Sequence, residues 1–308
     1  MKFDSPCFLA PMAGITDVAF RDLASRCGAG LTTTELVSAK GLLQGNTQTR
    51  ELLRRGEEEK RFAVQLFGSE PRSLARATEL VQSRADIVDL NAGCPVQKVC
   101  KTGAGCALLD QLDVTARILD AMLKVATIPV TVKMRIGLHD SSLALPFARL
   151  CEERGVSLLT VHGRTRAQYY SGRADWEVIN EIVRSVSLPV VGNGDITSAQ
   201  QAHNRLQCSP YVAIGRAASG NPYLFTQCND LLDKGMFQPH SLQRQFYLFA
   251  DYLELAGQYD THFQHQLLQA QHFFKGVAGA AKLRLALSGA RSQRDLLARI
   301  EAFLPKEK

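Results

Sequence analysis

The stretch "PVVGNGDITSAQQAHNRLQCSPYVAIGRAASG" (189–220) decides the fold. Its two apolar runs, "PVVGNG" (189–194) and "YVAIGR" (211–216), are short and rich in β-branched residues. They read as strands buried on both faces. "SAQQAHNRL" between them is helical in pattern, and each strand ends in a glycine-bearing turn. Strand, turn, helix and strand form a βαβ unit, which implies a parallel sheet.

Working outward, six more runs of the same kind precede it: "CFLAPM" (7–12), "LTTTEL" (31–36), "FAVQLF" (62–67), "IVDLNAG" (87–93), "PVTVKM" (129–134) and "LLTVHG" (158–163). Helical patterns separate most of them. "DVAFRDLASRCG" ends in a glycine suited to a C-cap. "EPRSLARATELVQSR" carries Pro71 early, and "DVTARILDAMLKVAT" runs up to Pro129. Residues 141–154 and 175–186 are also read as helices. Eight strand–helix units in about 220 residues predict an α/β fold, a (β/α)8 TIM barrel. An open doubly wound sheet is the alternative. Beyond residue 228 no strand-like run appears, and 241–257, 261–279 and 291–303 read as helices. The expected organisation is a catalytic barrel over 1–228 and a small helical domain over 240–308, joined where Gly235 and Pro239 suit a connection.

Composition sets limits. The chain has 308 residues, 45% hydrophobic and 21% charged, with no apolar run approaching a membrane span. The opening "MKFDSPCFLAPMAG" is expected to begin the fold and not to be a signal peptide. Eight cysteines lack CxxC spacing, and Cys94, Cys100 and Cys106 stand six apart, unlike a zinc or iron–sulfur set. Reduced thiols, no metal and a cytoplasmic setting are expected. A net charge of +6 permits a nucleic-acid partner without requiring one.

In such barrels the active site lies at the C-terminal strand ends. Those ends offer Pro11-Met12-Ala13, Glu35, Gln65, Asn91 with Cys94, Lys133 with Arg135, His162 with Arg164, Asn193-Gly194-Asp195, and Gly215-Arg216. Convergence of these groups predicts a ligand pocket. The turns "NGDI" and "IGRAASG" occupy the usual phosphate position of this fold. A phosphate there and Lys133 further in suit a flat phosphorylated cofactor such as FMN, though sugar phosphates occupy the same place in other barrels.

The segments "LAPMAGITDVAFR", "ELVSAK", "VQLFGSEP", "DLNAGCPVQKV", "GAGCALL", "VTVKMRIG", "VHGRTRAQYYSG", "VVGNGDI" and "IGRAASGNPYLF" together resemble the tRNA-dihydrouridine synthases, in order across most of 8–225. The likeness is nearest to the DusB-like bacterial branch. The resemblance implies an FMN-dependent oxidoreductase that reduces the C5–C6 bond of uridine in tRNA with NADPH. Carried over by position, FMN contacts fall on Pro11, Met12, Ala13, Gln65, Lys133, His162, Asn193, Gly194, Asp195, Gly215 and Arg216. The general acid falls on Cys94. Substrate contacts fall on Asn91, Arg135, Arg164 and Arg166. Two departures stand out: Ala92 where the family often has Met, and a weaker match in the C-terminal helices, where "QHFFKGVAGAAKLR" has a diluted aromatic and basic pattern.

The chemistry agrees with Cys94 as an acid. Hydride addition at uridine C6 builds charge toward C5 and O4, and a protonated thiol can supply the proton at C5. No depressed thiol pKa is expected. Lys98 and Lys101 are candidate phosphate contacts, and Tyr169 and Tyr170 candidate stacking partners. The basic stretch 275–299, with Lys275, Lys282 and Arg284, is assigned to tRNA. A monomer is expected. Two rival readings remain: an FMN barrel acting on a free pyrimidine, which would not need the basic tail, and a tRNA-binding protein whose flavin chemistry is secondary.

Overall fold

All strands among the described residues are parallel and lie in one ring. A computed structural model describes residues 1–277 and 279–303; the last five residues of the expected helical domain lie outside the described residues. In chain order the strands are β1 (Cys7–Leu9), β2 (Thr32–Thr33), β3 (Val37–Ser38), β4 (Phe62–Phe67), β5 (Ile87–Ala92), β6 (Val130–Arg135), β7 (Leu159–His162), β8 (Val190–Asn193) and β9 (Tyr211–Ile214). Hydrogen bonding runs β1-β9-β8-β7-β6-β5-β4-β2, with β3 also on β4. The ring closes between β1 and the approach to β2, where Leu9 N–H donates to Leu31 O and Gly30 N–H to Cys7 O, each at 2.9 Å. This is the expected TIM barrel.

The second barrel strand differs from expectation. "LTTTEL" does not run unbroken; β2 and β3 are two short pieces that share β4 as partner, with Thr32 opposite Phe62 and Val37 opposite Leu66. Between them the chain turns out, and Glu35 Oε2 accepts the N–H of Gly14 at 2.6 Å. Glu35 therefore ties down the loop after β1.

The barrel interior is closed at its N-terminal end by Phe8, stacked on Tyr211 and tilted against Phe3. Ala63, Ile87, Leu158, Val191 and Ala213 fill the layer above. The outer strand faces pack on helices whose starts are capped as the sequence allows: Asp17 accepts from Phe20 N–H, Asp175 from Val178 N–H and Ser198 from Gln201 N–H. Each such cap contributes about 1 kcal/mol. At the helix 97–100 and the helices within 39–51 the chain folds locally where no element is expected.

The last barrel helix spans Tyr223–Lys234 and stops at Gly235. The expected boundary at 228 thus falls inside a helix. The C-terminal helices are Leu242–Gln258, Phe263–Phe273, Ala280–Ser288 and Gln293–Glu301. A single helix over 261–279 does not form. The chain leaves it after Phe273 and restarts with Gly279 as N-cap at φ 76°, a left-handed value that favours glycine. The helical region shares a continuous hydrophobic core with the barrel. Phe20 meets Phe273 edge-on, Tyr252 Oη donates to Asp17 at 3.1 Å, and Tyr259 Oη donates to Asp22 at 2.6 Å. No helix among the described residues is long and apolar enough to cross a membrane.

Candidate active site

At the C-terminal strand ends the barrel opens into a cavity of about 730 Å³. Pro11, Met12 and Ala13 line it from the loop after β1, Gln65 from β4, and Asn91 from β5. Lys133 and Arg135 enter from β6, His162 from β7, and Asn193, Gly194 and Asp195 from β8 and its turn. Gly215 and Arg216 follow β9, and Cys94, Tyr169, Tyr170 and Lys275 complete the wall. The inward alternation of a strand explains this set: Gln65, Asp89, Asn91, Thr131 and Lys133 are neighbours in the parallel register of β4, β5 and β6.

Cys94 stands on the turn after β5 and is 8% exposed. Its N–H donates to Asn91 Oδ1 at 2.9 Å, and its carbonyl accepts the N–H of Cys106 at 3.0 Å. Behind it lies Gly105, at φ 62°, where a Cβ would come within 2.8 Å of Cys94 O. Burial pushes the Cys94 thiol up, against a lowering hydrogen bond from the Val96 backbone, and nearby Cys100 raises it further. It is a protonated thiol at neutral pH.

Lys133 is a strongly displaced base. Burial and the Arg135 charge pull it down to about 8, against the opposing charge of Asp89. Among the described residues its ammonium has one long contact, to Asn193 Oδ1 at 3.4 Å. A buried cation so weakly partnered suits an electron-rich ligand group. Burial, reinforced by Lys133 and the neighbouring arginines, holds His162 down to about 2, so its imidazole is neutral.

The far end of the cavity is built from the β8 and β9 turns. Asp195 adopts φ 53° and accepts from Arg164 at 2.8 Å, from Ala174 N–H at 2.8 Å and from Arg216 at 3.1 Å. Burial would raise its carboxyl, but the Arg164 and Ala174 hydrogen bonds outweigh this and hold it low. A Cβ on Gly215 would meet only Met12 Sδ at 3.7 Å and Ala10 Cβ at 3.8 Å, so bare backbone faces the cavity there.

The remaining expected residues divide. Arg135 lines the cavity, yet its guanidinium donates to three carbonyls, Gly93 at 3.1 Å, Thr165 at 2.9 Å and Tyr169 at 2.7 Å. Asn91 spends its amide on Gln65, Gly93 and Cys94. Arg164 is buried behind the wall and donates to Ser171 O, Gly172 O and Asp195. Arg166 is half-buried outside the lining, and Lys282 and Arg284 lie exposed on the helical region away from it. Asp89 carries no expectation from the sequence; its signal is an acid inside the apolar run "IVDLNA".

The profile of the family described as Dihydrouridine synthase (Dus) matches residues 8–307. The chain belongs to the dihydrouridine synthase family. The match extends through the helical region, beyond the span near 225 where the motifs are clear. Among curated relatives, a probable tRNA-dihydrouridine synthase of Rickettsia bellii is 39% identical over 78% of this chain and 75% of its own. The tRNA-dihydrouridine synthase B of Pseudomonas aeruginosa is 42% identical over 75% of this chain and 71% of its own. That of Pasteurella multocida is 39% identical over 74% and 70%. Family membership makes this dihydrouridine synthase an oxidoreductase of tRNA modification.

Proposed function

We propose that the protein is an FMN-dependent tRNA-dihydrouridine synthase that uses NADPH to reduce the C5–C6 bond of uridines in tRNA. One observation carries the reading. All eleven residues that the resemblance marks for FMN, and Cys94 with them, surround the same cavity.

The donor set fits FMN. Gly194, Asp195, Gly215 and Arg216 would hold the phosphate, with bare backbone at Gly215 and a guanidinium at Arg216. Gln65, Lys133 and the neutral His162 would hold the polar edge of the ring, where the weakly partnered Lys133 gains its missing acceptor. Pro11, Met12 and Ala13 would line the flank. Held by these residues, FMN would supply the hydride chemistry for uridine C6, with NADPH as the source of electrons.

The chain's own residues do the rest. Cys94 gives its thiol proton to C5, and its burial keeps that proton in place until charge develops at the base. Asn91 and Arg135 hold the turn that presents Cys94, by gripping Cys94 N–H and Gly93 O. Tyr169 closes over this turn through its hydroxyl, and Tyr170 offers a half-exposed ring between Arg135 and Arg216 for stacking.

The target uridine must leave its stack to reach Cys94, which is easiest in an unpaired loop. The exposed Lys282 and Arg284, with Lys275 at the cavity edge, supply phosphate contacts, and the helical region serves as the tRNA-binding part. The working unit is a monomer in the cytoplasm. The test is anaerobic: the purified protein should carry flavin absorbance that bleaches with NADPH. A colourless protein that takes up no added FMN overturns the reading.

A further inference from the structure

Below the cavity floor lies a buried carboxylate that the proposed reaction does not use. Asp89 is 5% exposed on β5, two residues before Asn91 and therefore on the same inward face. In register it stands opposite Gln65 of β4 and Thr131 of β6. Thr131 Oγ1 donates to Asp89 Oδ1 at 2.5 Å, and Gln65 Nε2 donates to Asp89 Oδ2 at 2.7 Å. Asn91 Nδ2 then donates to Gln65 Oε1 at 2.8 Å, and Asn91 Oδ1 accepts from Gly93 N–H at 3.2 Å and Cys94 N–H at 2.9 Å.

The direction of this chain is forced. Asp89 Oδ2 accepts from Gln65 Nε2, so Gln65 presents its NH2 to Asp89 and its oxygen to Asn91. Backbone N–H groups only donate, so Asn91 must present its oxygen to Cys94 and its NH2 to Gln65. Both ends specify the same orientation of both amides. Without an acceptor at position 89, the buried Gln65 NH2 is left unpaired, and Gln65 turning toward another acceptor withdraws its oxygen from Asn91 Nδ2. Asn91, still facing the Gly93 and Cys94 N–H groups with its oxygen, loses the Gln65 contact that holds its side chain in place.

We propose that Asp89 is a positioning residue for the Cys94 proton donor, acting through the oriented amides of Gln65 and Asn91. It touches neither Cys94 nor the cavity's ligand space; its charge also reaches Lys133, and Asp89→Asn, which keeps the acceptor and removes the charge, separates that route from the hydrogen-bond chain. Burial raises the Asp89 carboxyl, while Thr131, Gln65 and the Lys133 charge oppose the rise. The inference rests on the proposed role of Cys94, and it predicts which residue sets that role.

The test combines two readouts on the full-length protein. First, the rate of Cys94 alkylation by iodoacetamide is followed by mass spectrometry, with the fully buried Cys7 and Cys151 as internal controls. Asp89→Ala should change the Cys94 rate several-fold and leave the controls protected. Asp89→Asn, which keeps an acceptor oxygen for Gln65, should restore the native rate. Second, tRNA-driven reoxidation of the reduced protein is measured for Asp89→Ala, Cys94→Ala and the double variant. Asp89→Ala alone should slow it roughly tenfold or more, as expected for a broken buried hydrogen-bond chain. It should add nothing in the Cys94→Ala background.

Equal, independent losses in both backgrounds overturn the proposal, as does alkylation of Cys7 and Cys151 alongside Cys94, which marks general loosening. An unchanged Cys94 alkylation rate in Asp89→Ala overturns it as well. If the wild-type protein holds no flavin, the proposed function fails, while the alkylation comparison still decides the role of Asp89.

Discussion

Tyr169 Oη donates to the carbonyl of Pro95 at 3.0 Å, bridging the loop after β7 to the turn that carries Cys94. Tyr169 adopts φ 50°, and its own carbonyl is gripped by Arg135. Two loops from different strands are thus locked around one thiol, the group to which the proposed reaction assigns the proton. A proton donor held this way can act only on a base brought to it.

Cys94→Ala should retain flavin and its reduction by NADPH, because the thiol lies outside the FMN residue set. Reoxidation by unmodified tRNA should fall by about 10²–10⁴, the usual span for a lost general acid. Rapid-mixing absorbance measurements of the two half-reactions check this; an equal loss in both would contradict it.

Lys133 loses its proton near pH 8 in the free protein. Its charge is present below that pH and lost as pH rises through it, so FMN affinity should weaken between about pH 7 and 9. In Lys133→Met the affinity should be lower at pH 7 and flat over that window. Fluorescence titration of the apoprotein with FMN at several pH values measures both. His162, held neutral down to about 2, should show no imidazole titration by NMR between pH 5 and 9.

Arg164 and Gly105 are expected to act by shaping the site. Arg164→Ala removes two hydrogen bonds to the loop carbonyls of Ser171 and Gly172 and leaves Asp195 short of a partner. A loss of roughly 1–3 kcal/mol should result, read as a lower melting temperature with faster proteolysis near Tyr169 and Tyr170. Gly105→Ala forces a side chain to φ 62° within 2.8 Å of Cys94 O. It should cost about 1–3 kcal/mol and slow the tRNA-dependent step more than the NADPH-dependent one.

Much of this was legible in the sequence because parallel strands are near-continuous apolar runs and barrels put function at their ends. The turns 193–195 and 215–216 could be placed at the cavity rim from strand order and glycine position. What was not legible is where a polar side chain spends its hydrogen bonds. Asn91, Arg135 and Arg164 look like ligand-facing groups in one dimension, yet their partners are Gln65, backbone carbonyls and Asp195. The split of β2 from β3 leaves Glu35 between them, reaching Gly14 in a different βα unit. The helix break after Phe273 was signalled by Gly276 and Gly279, but helical spacing on either side masked it.

Binding of tRNA should fall steeply with salt, because phosphate contacts release counterions. Lys282→Ala with Arg284→Ala should weaken binding of every tRNA alike and make the log–log salt slope shallower by about 1–2. Filter binding from 50 to 300 mM salt, on the order of the range where such slopes are read, would show an unchanged slope if these side chains face only water.

The most direct measurement is of product. Unmodified tRNA is incubated with the protein, FMN and NADPH, digested to nucleosides, and analysed by mass spectrometry. The predicted result is 5,6-dihydrouridine, two mass units above uridine, formed with the wild type and sharply reduced with Cys94→Ala. Absence of dihydrouridine from a protein that binds FMN and consumes NADPH would contradict uridine in tRNA as the substrate.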